Sequence, residues 1–428
     1  MTYPFTACAQ LLQRSRLVHD EADAMCGREI HMLNIEEPGH YRVSLLHLGF
    51  RPFFLLAGLH AIVATLLWAW LYHAPASAPV TQLSPTLWHA HEMIFGYGLA
   101  VVAGFLLTAV GNWTSVQTLN GIPLLLLGLC WLGARILGLI PHDNALAAMA
   151  ILDLSFNLAL VLAVAHPVAK VRQWGHGGII AIPLLLTLAH GLFYLGALGR
   201  APQGTQAGLY LGMYLLVLLV MVMGRRVVPF FIEKGLGQGI RIRERPWLDQ
   251  TIVLSLALFI LVEVFLPWGQ AAAWVALPVV LLQLLRLYDW HAPGIWKKPL
   301  LWSLYLAFVW IAVGFGLKAA GLFIPLNPFL ATHALAYGGI GLITLSMMSR
   351  VSLGHTGRNV FDPPPILGWL FALLATGAAV RVLLPLALPA LQGLWIGASQ
   401  VLWLVAFAGF VWIYAPMLVR PRIDGRYG

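Results

Sequence analysis

The chain has 428 residues, of which 60% are hydrophobic and only 10% charged, and its mean hydropathy is +0.83. That balance excludes an ordinary soluble domain and fits a polytopic membrane protein. The formal net charge of +9 raises the question of nucleic acid. The basic residues are sorted by loop, however, as membrane topology requires, so no nucleic-acid partner is expected.

Residues 1–44 differ from the rest, being mixed polar with Arg14, Arg16, Arg28, Asp20, Glu21 and Asp23. No apolar stretch follows the early positive charges, so a signal peptide is not expected, and Met25 and Met32 offer alternative starts. His19, Cys26 and His31 read as parts of a solvated tail. None of Cys8, Cys26 and Cys130 has metal-ligand or disulfide spacing, and Cys130 reads as an inert helix residue.

From residue 45 the chain is a train of apolar segments near bilayer length. Helices are predicted at about 48–72, 88–111, 119–140, 144–166, 178–199, 205–228, 248–267, 271–291, 299–320, 329–351, 365–387 and 393–416. The breaks carry loop chemistry, as at Pro141-His-Asp-Asn, Asn327-Pro and the prolines at 363–365. The predicted class is therefore an all-α membrane bundle of about twelve transmembrane helices, spanning 45–420, with a short tail at 421–428. Arg42, Arg51, Lys170, Arg172, Arg225, Arg226, Arg241, Arg243, Arg245, Lys297, Lys298, Arg350, Arg358 and Arg420 fall in alternate loops. The other loops hold little beyond Arg200 and Lys318, so both termini are expected to be cytoplasmic.

The second segment, WHAHEMIFGYGLAVVAGFLLTAVGNW, carries His89, His91 and Glu92 in its first turn. Ionisable groups inside a span are costly unless they face a protein interior, a cavity or a cofactor. At about 100° per residue His89 and Glu92 share a face, whereas His91 points about 200° from His89. A regular helix therefore directs the two imidazoles to two sites or two roles; only an unwound turn brings them together. The structural alternative is two interfacial histidines beside a small-residue packing face formed by Gly96, Gly98, Ala100, Ala103 and Gly104.

The tenth segment also runs inward, and its His333, Tyr337, Gly341, Thr344 and Met348 form one stripe. His333 should lie at the depth of His89 and His91, which makes a shared metal or heme site an expectation. His60 and His190 fall near mid-span, where each can bind heme axially or simply bond a neighbouring helix. Asp153 and Glu263 are intramembrane carboxylates suited to proton relay or interhelical pairing. At the inner face LGFRPFF, GRRVVPFF and SRVSLGHTGR combine arginine with glycine or proline at helix ends. Such groups suit carboxylate or phosphate, and they also serve as positive-inside anchors.

LGFRPFFLLAG, WHAHEMIFGY…GFLLTAVGNWT, MGRRVVPFF and HALAYGGIG…MSRVSLGHTGR resemble, in this order, the signature strings of the NnrS family. The resemblance runs from about residue 45 to 416. It implies a bacterial inner-membrane protein of nitric oxide metabolism and nitrosative stress, with heme b and copper as cofactors. The motif residues it carries over are His89, His91, Glu92 and His333 outside, and Arg51, Arg225, Arg350, His355 and Arg358 inside. The expected reading is a membrane protein that binds nitric oxide or reduces it to nitrous oxide, served by an unidentified electron donor. Glu92, Tyr337 or Asp153 would supply protons. A non-enzymatic nitric oxide binder or sensor, and more remotely a transporter, are the alternatives.

Overall fold

The computed structural model describes residues 43–75, 83–142, 144–237, 239–266 and 270–428. His19, Cys26 and His31 lie outside them. Among the described residues there are twelve long helices and no strand. They are α1 (Phe50–His73), α2 (Pro85–Thr114), α3 (Gly121–Leu137), α4 (Ala145–Lys170), α5 (Gly177–Ala197) and α6 (Gly204–Leu236). These are followed by α7 (Pro246–Phe265), α8 (Ala271–Trp290), α9 (Pro299–Ala320), α10 (Pro328–His355), α11 (Ile366–Ala387) and α12 (Pro389–Val419). Eleven are long and apolar enough to cross a bilayer. The twelfth, α3, has 17 residues, the lower end of the spanning range.

Consecutive helices pack as neighbours over most of the chain, and α12 closes the bundle against α1. The most enclosed helices are α2 and α10, and α6 and α9 are next. The outer helices α7, α8, α11 and α12 leave many large apolar side chains exposed, Leu254, Leu281, Trp369 and Trp412 among them. A lipid-facing periphery around a buried centre accounts for that pattern.

Helix α6 runs further than its sequence indicates. Pro229 was expected to help close it near 228, but the helix continues to Leu236. A proline costs one backbone bond, and transmembrane helices tolerate that where neighbours re-satisfy the freed group.

Two features set the centre. The first is a change of pitch. Both α2 and α10 widen into π-helix, over Glu92–Gly98 and Ala334–Gly341, each immediately after its histidines. Glycines fill these segments because neighbours press against the backbone there. A Cβ on Gly98 would stand 2.7 Å from Leu216 Cδ1, and one on Gly338 would stand 2.4 Å from Trp310 Cγ.

The second feature is the approach of α5 to α6. Gly204 and Gly208 stand four residues apart on α6, the small-residue spacing that lets helices meet backbone to backbone, and both face the backbone of α5. A Cβ on Gly208 would lie 2.5 Å from the Phe193 amide nitrogen and 2.6 Å from the Ala189 carbonyl oxygen. Ala189 and Phe193 bracket His190, so this contact sets where His190 stands.

At the opposite end Arg51 is fully buried and donates to the carbonyls of Leu418 and Arg420, both at 2.8 Å, and to that of Gly428. It ties α1 to the end of α12. Residues beyond α12 fold back over this end. Tyr427 stacks on His47 and donates to its carbonyl at 2.9 Å, and Arg422 donates to the His355 carbonyl at 2.9 Å.

Two outcomes are expected. If the charge bias sets orientation, a Ser84→Cys variant is labelled by an impermeant maleimide in intact cells, and labelling only after lysis reverses the map. Gly208→Ala forces α5 and α6 apart and lowers stability by about 1–3 kcal/mol, read as a fall in the thermal midpoint of the purified protein.

Candidate metal centre

About two turns in from the α1–α2 loop, five helices direct polar side chains to one point. Glu92 at the start of the α2 π-segment is the hub. Its carboxylate stands 3.1 Å from His60 Nε2 of α1 and 3.0 Å from His91 Nδ1. It also accepts from Arg135 Nη1 of α3, at 3.2 and 3.1 Å on its two oxygens. The other arm of Arg135 pairs with Asp153 of α4. Tyr194 of α5 donates to Asp153 Oδ2 at 2.6 Å. Glu92, His91, Arg135, Asp153, His190 and Tyr194 are all buried.

The backbone of α2 is fitted to this cluster. A Cβ on Gly96 would lie 2.6 Å from His60 Nε2, 2.8 Å from Arg135 Nη1 and 2.9 Å from Glu92 Oε2, so only glycine leaves room. Trp131 Nε1 donates to the Gly96 carbonyl at 3.1 Å, bonding α3 to the π-segment. Wide turns of this kind often mark functional sites, because they redirect side chains that a regular helix would turn away.

His91 and His190 meet at the centre of the cluster with their Nε2 atoms 2.9 Å apart. Asp153 Oδ2 is 3.7 Å from the first and 3.5 Å from the second. His91, Asp153 and His190 thus offer three ligand atoms within 4.8 Å of one another, a group that can hold a metal ion. The surrounding bonds suit that role. The carboxylate of Glu92 takes the Nδ1 proton of His91, which leaves the Nε2 lone pair facing inward, the usual outer-shell arrangement of a metal-binding histidine. His190 is held between the rings of Phe95, at 4.0 Å, and Tyr194, at 4.9 Å. Asn157 Nδ2 stands 2.9 Å from His190 Nδ1 while Asn157 Oδ1 has no partner. The reversed amide accepts the His190 Nδ1 proton instead and frees the second Nε2 lone pair.

With neutral imidazoles the cluster carries two carboxylates against one guanidinium, Arg135. One further positive charge would complete it, and a metal cation held by His91, Asp153 and His190 could supply that charge.

The remaining sequence-predicted residues are divided among other places. His89 turns away from His91 and stacks on Trp68 of α1, with ring centroids 4.4 Å apart. It lies within electrostatic range of His333 and Arg381. His333 donates from Nδ1 to the Phe329 carbonyl at 2.7 Å, and its Nε2 accepts from Arg381 Nη2 at 3.0 Å. Both His333 nitrogens are therefore engaged. Tyr337 donates to the Ser399 carbonyl at 2.8 Å and is not among the partners of Glu92. Glu263 pairs with Lys318 and accepts from Tyr214 at 3.3 Å, an interhelical polar contact. At the other end Arg51 lies within electrostatic range of Arg358 and Arg422, Arg350 stacks over Phe231 at 3.8 Å, and His355 packs against Phe50 at 5.5 Å. Arg225 lines a separate cavity with Arg286. The sequence reading did not single out Arg135, Asn157 or Tyr194. An arginine and an aspartate inside consecutive spans, Arg135 and Asp153, were the available signal.

A family model described as NnrS protein matches residues 44–422 and so covers all four strings that carried the resemblance. No curated protein matches the sequence significantly.

Arg135→Met leaves two buried carboxylates without their counter-charge and should cost about 3–5 kcal/mol. Adding Asp153→Leu to Arg135→Met removes one of the stranded charges and should restore part of that loss in a thermal-unfolding series. If the double variant is no more stable than Arg135→Met, the pairing is not what holds α3 to α4.

Proposed function

The chain belongs to the NnrS family, and from that premise we propose that it is a bacterial inner-membrane metalloprotein that binds nitric oxide and reduces it to nitrous oxide. The observation that carries the metal part of this reading is the convergence of His91, Asp153 and His190 in a buried pocket. Membership in the family points to nitric oxide, and the two combine in one site.

The donor set suits a transition metal. Imidazole is a ligand for copper, iron and zinc, and two histidines with one carboxylate are also a known iron set. Copper is the family-implied metal that these residues fit. When bound, it supplies one-electron chemistry and a coordination position for the gas. Heme b fits less well at the places described. The contact between His91 and His190 leaves no width for a macrocycle between the rings. The apolar cavity between α2, α6 and α10 has about 90 Å³ and no histidine in its lining. No step is therefore assigned to heme.

The residues of the chain have separable tasks. Glu92 fixes the tautomer of His91, Phe95 and Tyr194 hold the plane of His190, and Arg135 keeps Glu92 and Asp153 together in a water-poor interior. Two nitric oxide molecules, two electrons and two protons balance one nitrous oxide and one water. The protons must cross apolar protein, and the hydroxyl of Tyr194, bonded to Asp153 and 3.2 Å from His91 Nε2, is the donor placed to pass them. Nitric oxide is small and apolar, so it reaches the interior through the lipid, while the electrons come from a separate donor.

Copper, iron and zinc measured in the purified protein test the reading. Wild type should hold metal, and His91→Ala, His190→Ala and Asp153→Asn should lose it. Glu92→Gln should weaken affinity by about 10- to 100-fold, and His333→Ala should keep the metal. Anaerobic nitric oxide consumption with a reductant should fall to background in His91→Ala. Metal retained in all three ligand variants would sink the centre. Metal present without nitric oxide consumption would leave a binder in place of a reductase.

A further inference from the structure

Away from this centre, where α6 ends, α7 begins and α8 ends, lies a second polar cavity of about 360 Å³. Its lining includes five arginines, Arg225, Arg226, Arg243, Arg245 and Arg286, against the carboxylates of Glu244, Asp249 and Asp289. We propose that this cavity binds a phosphate group, and that the group is the headgroup of an anionic phospholipid.

The charge arrangement is the first support. Arg286 is 1% exposed and pairs with Asp249 at 2.8 Å, and Arg245 pairs with Asp289 at 2.7 Å. Those two pairs use both aspartates. Arg225, Arg226 and Arg243 have no ion pair among the described residues, with only Glu244 left to balance them. The Nε atoms of Arg225 and Arg286 are buried without a hydrogen-bond partner. A buried guanidinium nitrogen that finds no acceptor in the protein needs one from elsewhere. Guanidinium groups present planar pairs of donors that match phosphate oxygens, so a cavity with three uncommitted arginines is shaped for that anion.

The second support separates a lipid from a soluble anion. Phe230 on α6, Trp247 on α7 and Tyr288 on α8 are 52%, 53% and 78% exposed, and each is a chain neighbour of a lining residue, Pro229, Pro246 or Asp289. Exposed aromatics beside a basic cavity at helix ends are the pattern of a membrane boundary, where the rings meet acyl chains and the arginines meet headgroups. This end of the helices is also the one the charge bias assigns to the cytoplasmic face. The inference does not rest on the metal centre.

The test uses the full chain in mild detergent and in nanodiscs. Native mass spectrometry of protein extracted from phosphatidylcholine membranes doped with phosphatidylglycerol should show phosphatidylglycerol retained, and phosphatidylcholine not. In Arg225→Gln/Arg226→Gln the retention should fall by about 30-fold, since each basic residue near a membrane surface contributes a factor of about 5 and the two multiply, and it should weaken further as salt is raised. Arg226→Gln alone changes an exposed side chain and serves if the double variant folds poorly. Arg200→Gln, a charge lost at the opposite end, should leave retention unchanged. A second arm adds inorganic phosphate to delipidated protein. Stabilisation by phosphate that vanishes in the same variants, without lipid retention, keeps the phosphate site and assigns it to a soluble ligand. Retention equal in wild type and both arginine variants, with no response to phosphate, overturns the proposal.

Discussion

The structure around the centre depends on one side chain, Arg135. Its guanidinium joins Glu92 of α2 to Asp153 of α4 in a region where water is scarce. Two carboxylates at such depth are tolerable only when paired, and a single guanidinium is suited to hold both because its donors point in two directions. Everything that follows at the site is referred to this bridge. His91 is oriented by Glu92, Tyr194 is bonded to Asp153, and His190 meets the imidazole that Glu92 has turned inward.

The change of pitch in α2 gives those side chains their directions. On an even helix His91 points away from His89, and the structure keeps that divergence. His89 goes to Trp68 and His91 to His190. The π-segment then begins at Glu92, so that Glu92, Phe95 and Gly96 all address the cluster. The same device recurs in α10, where the π-segment follows His333 and an arginine from the next helix, Arg381, reaches the histidine. In α2 the arginine meets a carboxylate, and the inner imidazole nitrogen faces His190. In α10 it meets the imidazole itself. That one difference leaves His91 with a nitrogen directed at Asp153 and His190, and His333 with both nitrogens bonded elsewhere.

Much of the architecture was legible in the sequence because bilayer length and hydrophobicity are local properties. The twelve predicted helices are all present, with limits shifted by a few residues in most cases. The positions of His89, His91, Glu92 and Asp153 within their helices followed from the sequence. Which residues meet was not legible. His190 was placed at mid-span with no indication that α5 would turn it toward His91, because that depends on the glycine contact between α5 and α6. Arg135 sits near a helix end, where a basic residue ordinarily reaches the membrane surface. Only the carboxylates on two other helices make it an interior residue. Arg51 and Arg225, similar in sequence setting, part company for a like reason: one finds backbone carbonyls, the other a cavity.

The remaining charge in the cluster connects its resting bonds to its chemistry. Without a cation, the His91 and His190 nitrogens must share a proton across 2.9 Å, and Asn157 Nδ2 then donates to His190 with its own oxygen idle. With a cation held by His91 and His190, the reversed Asn157 amide would accept the His190 Nδ1 proton on its idle oxygen and leave both Nε2 lone pairs for the metal. The same atoms would therefore satisfy two neutral-imidazole states that differ by the bound cation, a shift of the His190 proton from Nε2 to Nδ1 and a half-turn of one amide. In the metal-free state the uncompensated charge is negative and falls on the carboxylates of Glu92 and Asp153, the second of which accepts from the Tyr194 hydroxyl. The polar cluster is thus suited to a cation, and Phe95, Phe193 and Trp131 enclose it in apolar rings.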